Sequence, residues 1–251
     1  MEEGSRELVI TGVNIGRYED GGSDLVSLID KILALPGDFR VRISSMEPVQ
    51  LKPPFEEKFI ELFSHPRLCP HLHICLQSGS EKMLLAMRRT YTVVQYREFV
   101  DKLRSRYPDM NLTTDIIVGF PGESEEDFKA TCQITKEIGF SHVHTFKYSR
   151  RNGTRAARMG NQVPDPIKSA RSETVRAIVA ENKRQYRSGW IGRDQRVLIE
   201  KISDGHAKGY GQHYLPIILP AEGCELNSFR KVKIQGFEDG EDPVLLASLI
   251  T

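Results

Sequence analysis

The fold is decided by one stretch of the chain, Thr113-Thr114-Asp115-Ile116-Ile117-Val118-Gly119-Phe120-Pro121-Gly122-Glu123. Its apolar run at residues 116–118 is short, β-branched and bounded by turn residues, which predicts a strand covered on both faces, as in parallel sheets. Gly119 and Gly122 then allow a tight turn and a close approach of the backbone to a ligand. A plain strand-to-helix turn explains the same residues equally well. The stretch therefore predicts a strand, a turn and a helix, with a binding loop as one of two interpretations of the turn.

The start of the helix that follows this turn is acidic. Glu123, Glu125, Glu126 and Asp127 lie in or beside its first turn. Their negative charge already complements the positive end of the helix dipole, so an added phosphate would be repelled. A neutral or zwitterionic ligand is therefore the better candidate for this loop.

The same alternation of strand and helix repeats on both sides of the central stretch. Strand-like runs begin near residues 7, 39, 72, 112 and 141, and each gap between them contains a helical pattern. From residue 189 onward the helical pattern disappears, and short strands are predicted at 195–201, 209–219, 230–235 and 244–249. We therefore predict an α/β fold with a partial (β/α) barrel over residues 1–187, followed by a small OB-like β-barrel over residues 188–251.

The composition is that of a globular protein without targeting signals. With 251 residues and 39% hydrophobic residues, the chain is long enough for a substantial core. No apolar run approaches the roughly 20 residues that span a bilayer, and the first residues lack the features of a signal peptide. We expect a cytoplasmic protein with no membrane partner. The four cysteines have no close metal-binding spacing, so free thiols are predicted.

The net charge of +1 conceals one strongly basic segment. Residues 147–187 contain 11 Lys and Arg against 3 Asp and Glu, whereas residues 1–146 contain 17 against 22. A basic block of this kind is typical of a surface that binds a polyanion, although a solvated basic helix face gives the same count. Pairing of its arginines with the carboxylate surplus of the first 146 residues is the structural alternative.

Several stretches together resemble the successive signatures of the radical SAM methylthiotransferases. These stretches are residues 44–48, 76–80, 87–89, 114–123 and 148–156, in matching order and spacing. They cover about residues 7–165, and the final segment resembles the TRAM domain that ends those enzymes. Residues 146–151 and 209–216 most resemble the branch that acts on threonylcarbamoyladenosine in tRNA.

The resemblance implies a parent enzyme that acts on tRNA. Such an enzyme transfers a methylthio group to an adenosine next to the anticodon, using S-adenosylmethionine and two 4Fe-4S clusters. The Cys-x-x-x-Cys-x-x-Cys motif of the family is absent from this chain, and Cys69 and Cys75 have the wrong spacing. We therefore expect the carboxy-terminal part of such an enzyme, without the first barrel strand, the cluster loop and the amino-terminal domains. By itself it is expected to be inactive, and whether it binds either cofactor is left open; an RNA-binding module without catalysis is the alternative.

The resemblance also assigns individual residues to a site at the strand ends. Strand ends are where ligands bind in such folds, although small and polar residues also end strands merely as turn formers. The aminocarboxypropyl end of S-adenosylmethionine is expected near Asn14, Ser44 and Glu47, its ribose near Gln77 and Ser78, and its adenine near Val118 and Gly119.

RNA contacts are expected in two places. Arg150, Arg151, Arg155 and Arg158 follow the fifth strand, and guanidinium groups chelate phosphates and stack on bases. Tyr210 and Tyr214 in the terminal barrel are candidates for base stacking, with ordinary packing as the alternative. His73 beside Cys75, and His142 beside His144, have metal-ligand side chains, but packing is the commoner role of such pairs, so no metal site is predicted.

Overall fold

Strands and helices alternate through the first two thirds of the computed structural model, which describes residues 4–238, 240 and 243–250. The strands of this part are β1 (Glu7–Ile10), β2 (Glu19–Asp20), β3 (Ser23–Asp24), β4 (Arg40–Ile43), β5 (Ser45–Met46), β6 (His71–Ile74), β7 (Asn111–Val118) and β8 (His142–Lys147). The helices are α1 (Leu25–Leu33), α2 (Phe55–Glu61), α3 (Glu81–Ala86), α4 (Val93–Arg106), α5 (Glu125–Ile138), α6 (Arg155–Arg158) and α7 (Asp165–Ser188). Single 3-10 turns lie at Ile15–Arg17, Pro48–Gln50 and Leu62–Ser64.

Local capping signals set the helix boundaries. The hydroxyl of Ser124 accepts from the amide of Asp127 while the Asp127 carboxylate accepts from the amide of Ser124, which forms a capping box at the start of α5. Gly139 ends that helix in the left-handed region, with φ 64°. Thr92 and Gln95 form a second capping box at α4.

The parallel strands form two pieces of sheet. Strands β5, β6, β7 and β8 pair in that order, and β1 pairs with β4 alone. The switch lies at Ser44, whose amide donates to the carbonyl of Ile10 before the next two residues pair with β6. The prediction of a parallel α/β sheet is confirmed, with a break that the strand pattern did not indicate. Helices pack around this sheet over one hydrophobic core, in which Phe39, Phe59 and Phe140 are fully buried.

The end of the chain is a closed five-stranded barrel with its own core. Its strands are β9 (Asp194–Ser203), β10 (His206–Gly211), β11 (Pro216–Pro220), β12 (Phe229–Glu238) and β13 (Val244–Leu249). The barrel order is β10-β11-β13-β12-β9, and a separate hydrophobic cluster that includes Trp190 fills it. The single strand predicted over residues 209–219 is wrong, because a tight turn with Tyr214 at φ 58° divides it into β10 and β11. The domain boundary at residue 188 stays a prediction; α7 ends at Ser188 and β9 begins at Asp194.

The barrel contacts the amino ends of the parallel strands. Arg40 donates to the carbonyl of Tyr210 at 3.1 Å, and Arg42 donates to the carbonyl of Gln212 at 3.3 Å. Both guanidinium groups also bind the carboxylate of Glu7. Burial by itself would raise the pKa of Glu7, but the hydrogen bonds and charges of the two arginines outweigh it and hold the pKa below its usual value. These contacts place the barrel beside the amino ends of the strands.

No helix in the described part of the chain combines the length and the apolar surface needed to cross a bilayer.

Candidate functional site

The turn after β7 is shaped by a buried glutamate. Gly119 adopts φ 73°, and its amide donates to the carboxylate of Glu123 at 2.7 Å. A β-carbon at this position would lie 2.3 Å from the side chain of Lys168, so both the backbone angle and the packing require glycine. The carbonyl of Val118 accepts from the amide of Tyr148 at 2.9 Å. The Gly119 amide and the Val118 carbonyl are thus already hydrogen-bonded within the protein. The assignment of Val118 and Gly119 to adenine stays a prediction.

Glu123 lies in a buried ion pair. Its side chain is fully buried, and Arg171 of α7 donates to it at 2.6 Å. Burial raises the pKa of Glu123, and the Gly119 amide and Arg171 offset only part of that rise. Its second carboxylate oxygen is buried without a hydrogen-bond partner.

Asp127 is another carboxylate of this turn with internal partners. It accepts from the Ser80 hydroxyl at 2.6 Å and from the Lys82 ammonium at 2.7 Å. Burial alone would raise the pKa of Asp127, but Lys82, Ser80 and Ser124 hold it well below its usual range. The charges of Glu123 and Asp127 are therefore balanced within the protein, and the turn repels an anion less strongly than its sequence indicates.

The second predicted pair, Gln77 and Ser78, lies below the surface. The backbone amide of Gln77 donates to the backbone carbonyl of Asp115 at 2.8 Å, and the backbone carbonyl of Gln77 accepts from the backbone amide of Ile117 at 2.9 Å. Ser78 is fully buried, and its hydroxyl lies 3.2 Å from the Thr131 hydroxyl of α5. The structure therefore does not bring the Ser78 hydroxyl to the strand-end surface, and its ribose contact stays a prediction.

Asn14 and Glu47 share a cavity with Arg89 at the carboxyl ends of the strands. This cavity has a volume of about 300 Å³. Arg89 donates to the Glu47 carboxylate at 2.9 Å, and each side chain of the pair is about 30% exposed. The Asn14 side chain accepts from the amide group of Gln50. Ser44 is not among the residues that line this cavity; it lines a larger one between the sheet and the barrel.

A second cavity, of about 410 Å³, adjoins the first through Arg88 and Arg89. Ile117 and Phe120 give it apolar walls, and Arg155 lies at its border. Sequence reasoning assigned neither Arg89 nor Phe120 to the site, although both belong to the stretches 87–89 and 114–123 that carry the resemblance. Their position within those stretches was the sequence signal that could have assigned them to the site.

The predicted RNA-binding arginines are exposed and follow β8. Tyr148, between that strand and the arginines, packs against Phe120 with ring centroids 5.3 Å apart, which places the start of this segment beside the turn after β7. Arg155 donates to the carbonyl of Ala86. Within residues 4–238, 240 and 243–250, no ion pair involves Arg150, Arg151, Arg155 or Arg158, so the alternative of pairing with carboxylates is not observed.

The two predicted RNA-binding tyrosines lie far from those arginines in the fold. Tyr210 and Tyr214 stack on each other with ring centroids 4.9 Å apart, and Arg42 lies 4.8 Å from the ring of Tyr214. Both line the larger cavity, of about 760 Å³, between the sheet and the barrel. His213, between them in sequence order, is buried, and burial lowers its pKa to about 3. The structure thus separates the predicted RNA residues into a group at the carboxyl ends and a group at the amino ends.

The thiols do not form a cluster site. All four cysteines are free, and burial raises the pKa of Cys75 to about 12. In the described part of the chain, no group of three potential metal ligands contains a cysteine. The residues present therefore do not fit a 4Fe-4S cluster. The cavity with Glu47 and Arg89 does fit the amino-acid end of S-adenosylmethionine, because it offers one anionic and one cationic group side by side.

Comparison with known proteins agrees with these features. The sequence model of the Radical SAM superfamily matches residues 1–134. The chain is 42% identical over 240 residues to the threonylcarbamoyladenosine tRNA methylthiotransferase MtaB of Thermotoga maritima, which covers 94% of this chain and 54% of that protein. It is 39% identical over 216 residues to the tRNA-2-methylthio-N(6)-dimethylallyladenosine synthase of Magnetococcus marinus, which covers 83% of this chain and 49% of that protein. The chain thus spans about half the length of the curated relatives it matches.

The fold also matches a solved structure. Coproporphyrinogen III oxidase (HemN) from Escherichia coli, described as a radical SAM enzyme, aligns with a TM-score of 0.50 and 12% sequence identity, over 84% of this chain and 51% of that one. At this identity the likeness concerns the fold alone. It confirms the predicted fold class of a partial radical SAM barrel.

Proposed function

We infer the function from one premise: this chain belongs to the Radical SAM superfamily, whose sequence model matches more than half of it. We propose that it forms the S-adenosylmethionine-binding and RNA-binding part of an enzyme that transfers a methylthio group to a threonylcarbamoyladenosine next to the anticodon of a tRNA. The names of the relatives in Thermotoga maritima and Magnetococcus marinus support this reaction class. A cytoplasmic location belongs to the same proposal.

The observation that carries the proposal is the pairing of Glu47 with Arg89 beside Asn14. An α-amino acid presents an ammonium and a carboxylate on one carbon, so Glu47 matches the first and Arg89 the second. The adjoining cavity offers the apolar walls of Ile117 and Phe120 to a base. A ligand that is zwitterionic at one end and aromatic at the other fits this pair of cavities.

The chain's own residues would bind and orient this ligand. When bound together, S-adenosylmethionine and a 4Fe-4S cluster supply the radical chemistry of the superfamily. Because no cysteines converge in the described part of the chain, we assign it no cluster and derive no step from one. We therefore propose that the chain by itself does not transfer methylthio groups. After anaerobic treatment with iron and sulfide it is expected to stay colourless, and a stable brown cluster with cleavage of S-adenosylmethionine would contradict this.

Calorimetric titration of the chain with S-adenosylmethionine tests the cofactor site. Glu47→Gln and Arg89→Ala are each expected to weaken binding about tenfold or more, since each removes a charge-assisted hydrogen bond. Glu57→Gln, the same change at an exposed position of α2, is the matched control and is expected to bind like the wild type. Unchanged affinity in both site variants would refute the assignment.

The RNA path is tested by the salt dependence of tRNA binding. Exposed Arg150 and Arg151 are proposed to contact phosphates where a substrate enters. Replacing both by Ala is expected to weaken binding and to reduce the log-log salt slope by about 0.9 for each phosphate that the variant no longer neutralises. The double change Lys129→Ala and Lys136→Ala, on the exposed face of α5, removes the same charge elsewhere and is expected to change the slope less. Equal effects of the two double changes would place the RNA elsewhere.

The alternative function is an RNA-binding module without a cofactor site. The exposed arginines after β8 favour it as much as they favour the enzyme. The two functions are separated by the titration above, because a module would bind tRNA and show no heat with S-adenosylmethionine.

A further inference from the structure

Three neighbouring strands place a carboxylate and two imidazoles together on one face of the sheet. His73 lies on β6, Asp115 on β7 and His144 on β8, and their ligand atoms all lie within 4.8 Å of one another. The register explains the convergence, because Asp115 pairs directly with His144 while His73 pairs with Thr113, two residues before Asp115 on the same face. We call these three residues the His-Asp-His group.

The spacing within the group suits coordination better than a hydrogen bond. His73 Nε2 lies 3.4 Å from Asp115 Oδ1, beyond the range of about 2.7–2.9 Å of a good charge-assisted hydrogen bond. Two ligands of a tetrahedral ion with bonds of about 2.1 Å lie about 3.4 Å apart. The separation of this pair therefore matches that of two ligands on a shared Zn²⁺, and the ligand atoms of all three residues lie within 4.8 Å of one another.

The imidazoles are also oriented as metal ligands are. His73 Nδ1 lies 3.0 Å from the Thr113 hydroxyl, and His144 Nδ1 lies 3.3 Å from Nε2 of His142. A histidine that binds a metal through one nitrogen usually engages its other nitrogen in this way, which fixes the ring. The group thus has both the ligand atoms and the supporting contacts.

The group faces a cavity rather than packed core. It lines the cavity of about 760 Å³, with the His73 and Asp115 side chains 13% and 23% exposed. From this geometry we propose that the His-Asp-His group binds one Zn²⁺ through three protein ligands, with the remaining position open to water or to an oxygen atom of a ligand in the cavity. This site is separate from the cavity of Glu47 and Arg89, so it does not depend on the proposed function.

Sequence reasoning predicted no metal site for an understandable reason. It weighed His73 with its neighbour Cys75, and His142 with His144, as pairs along one strand. The three ligands are separated by 42 and 29 residues and meet only through the strand register, so no short motif marks them.

Calorimetric titration of the EDTA-treated chain with Zn²⁺ tests the site. One equivalent is expected to bind, and His73→Ala, Asp115→Asn and His144→Ala are each expected to weaken binding at least a hundredfold. His206→Ala removes an exposed histidine from the barrel and is the matched control, with unchanged binding expected. His144 is exposed on β8, so its removal keeps the test valid even where a change at a more buried position impairs folding.

Two further measurements distinguish a preformed metal site from nonspecific Zn²⁺ binding. Thr113→Val removes the hydroxyl that orients His73 and is expected to weaken Zn²⁺ binding about 10–100-fold. Co²⁺ in place of Zn²⁺ is expected to show tetrahedral visible bands without a sulfur charge-transfer band, because the ligands are nitrogen and oxygen. Absence of one-equivalent binding, equal loss in His206→Ala and His144→Ala, or a sulfur band would each overturn the proposal.

Discussion

Two carboxylates lie at opposite ends of the parallel strands, one half-buried and one fully buried, and their surroundings shift their pKa values in opposite directions. At the amino end, Glu7 binds two guanidinium groups and keeps 15% of its side chain exposed. At the carboxyl end, Glu123 binds one guanidinium and one amide with no exposure at all. Burial raises the pKa of both groups, but the hydrogen bonds and charges of two arginines together outweigh it at Glu7, whereas burial prevails at Glu123.

The difference indicates that the two clusters have different tasks. The Glu7 cluster joins the sheet to the barrel, since its arginines also donate to barrel carbonyls. The Glu123 cluster shapes a single turn and leaves one carboxylate oxygen without a partner. A buried ion pair of this kind adds little net stability over an apolar pair, but it is costly to break.

The largest effect is expected when the carboxyl-end pair is broken on one side. Arg171→Met leaves Glu123 buried without its cation and is expected to lower the free energy of unfolding by about 3–5 kcal/mol. Urea denaturation measures this loss. Adding Glu123→Gln is expected to restore much of it, and Arg176→Met, at an exposed position of the same helix, is expected to change little. A loss below about 1 kcal/mol in Arg171→Met would show that the pair is not buried in solution.

A smaller effect is expected at the amino end. Glu7→Ala leaves Arg40 and Arg42 with their carbonyl acceptors, so the expected loss is about 2–3 kcal/mol. Because Trp190 is the only tryptophan and lies in the barrel core, its fluorescence follows the barrel during unfolding. The variant is expected to shift this transition, whereas Glu19→Ala, at an exposed position, is not. A loss as large as that of Arg171→Met would abolish the contrast between the two ends.

The opposite pKa shifts predict opposite slopes of stability with pH. Glu7 stabilises the fold fully above its unfolded pKa of 4.5, and this contribution disappears as the pH falls through its lower folded pKa. Glu123 behaves inversely, since its raised pKa makes the fold gain stability as the pH falls through the folded value toward 4.5. Denaturation of Glu7→Gln and Glu123→Gln between about pH 3 and 7 is expected to give difference curves of opposite sign. Parallel curves would contradict the assignment of the two acidities.

The smallest effect is expected for an exposed carboxylate at the same junction. Asp38 pairs with Arg6 at 3.4 Å and with Arg196 of the barrel, and 58% of its side chain is exposed. Asp38→Ala is therefore expected to change the free energy of unfolding by no more than about 1 kcal/mol. Thermal melts compare it with Glu7→Ala. A decrease of more than about 2 kcal/mol in the free energy of unfolding would mean that an ion pair at this junction stabilises the fold whether or not it is buried.

The sequence predicted what neighbouring residues determine. The strand, turn and helix predicted from residues 113–123 depend on residues within a few positions, and the structure confirms them as β7, the turn at Gly119 and α5. The partial parallel barrel and the small closed barrel are confirmed for the same reason. The division of residues 209–219 was missed. The alternation of buried and more exposed positions continues through the turn at Tyr214, so the pattern does not show where β10 ends.

The site was predicted less completely because its contacts join distant residues. Glu123 was taken as a free charge of the acidic turn, but its partner Arg171 is 48 residues away. The seven cofactor residues and the six RNA residues stay predictions. The structure brings only some of them together, Asn14 with Glu47 in one cavity and Tyr210 with Tyr214 in a stacked pair. No local sequence pattern specifies which distant side chain will contact each of these predicted site residues.

Helix α7 connects the turn after β7 to the region beside the barrel. Its 24 residues extend about 36 Å, and near its start Lys168 and Arg171 touch the turn at Gly119 and Glu123. Near its end, the Tyr186 hydroxyl donates to the carbonyl of Asp109 at 2.9 Å, next to the barrel. Between Lys168 and Tyr186 the helix rises about 27 Å, so it holds the turn after β7 and the barrel apart by a length of that order. A ligand that contacts both the turn after β7 and the Tyr186 end of the helix must therefore extend over a similar length.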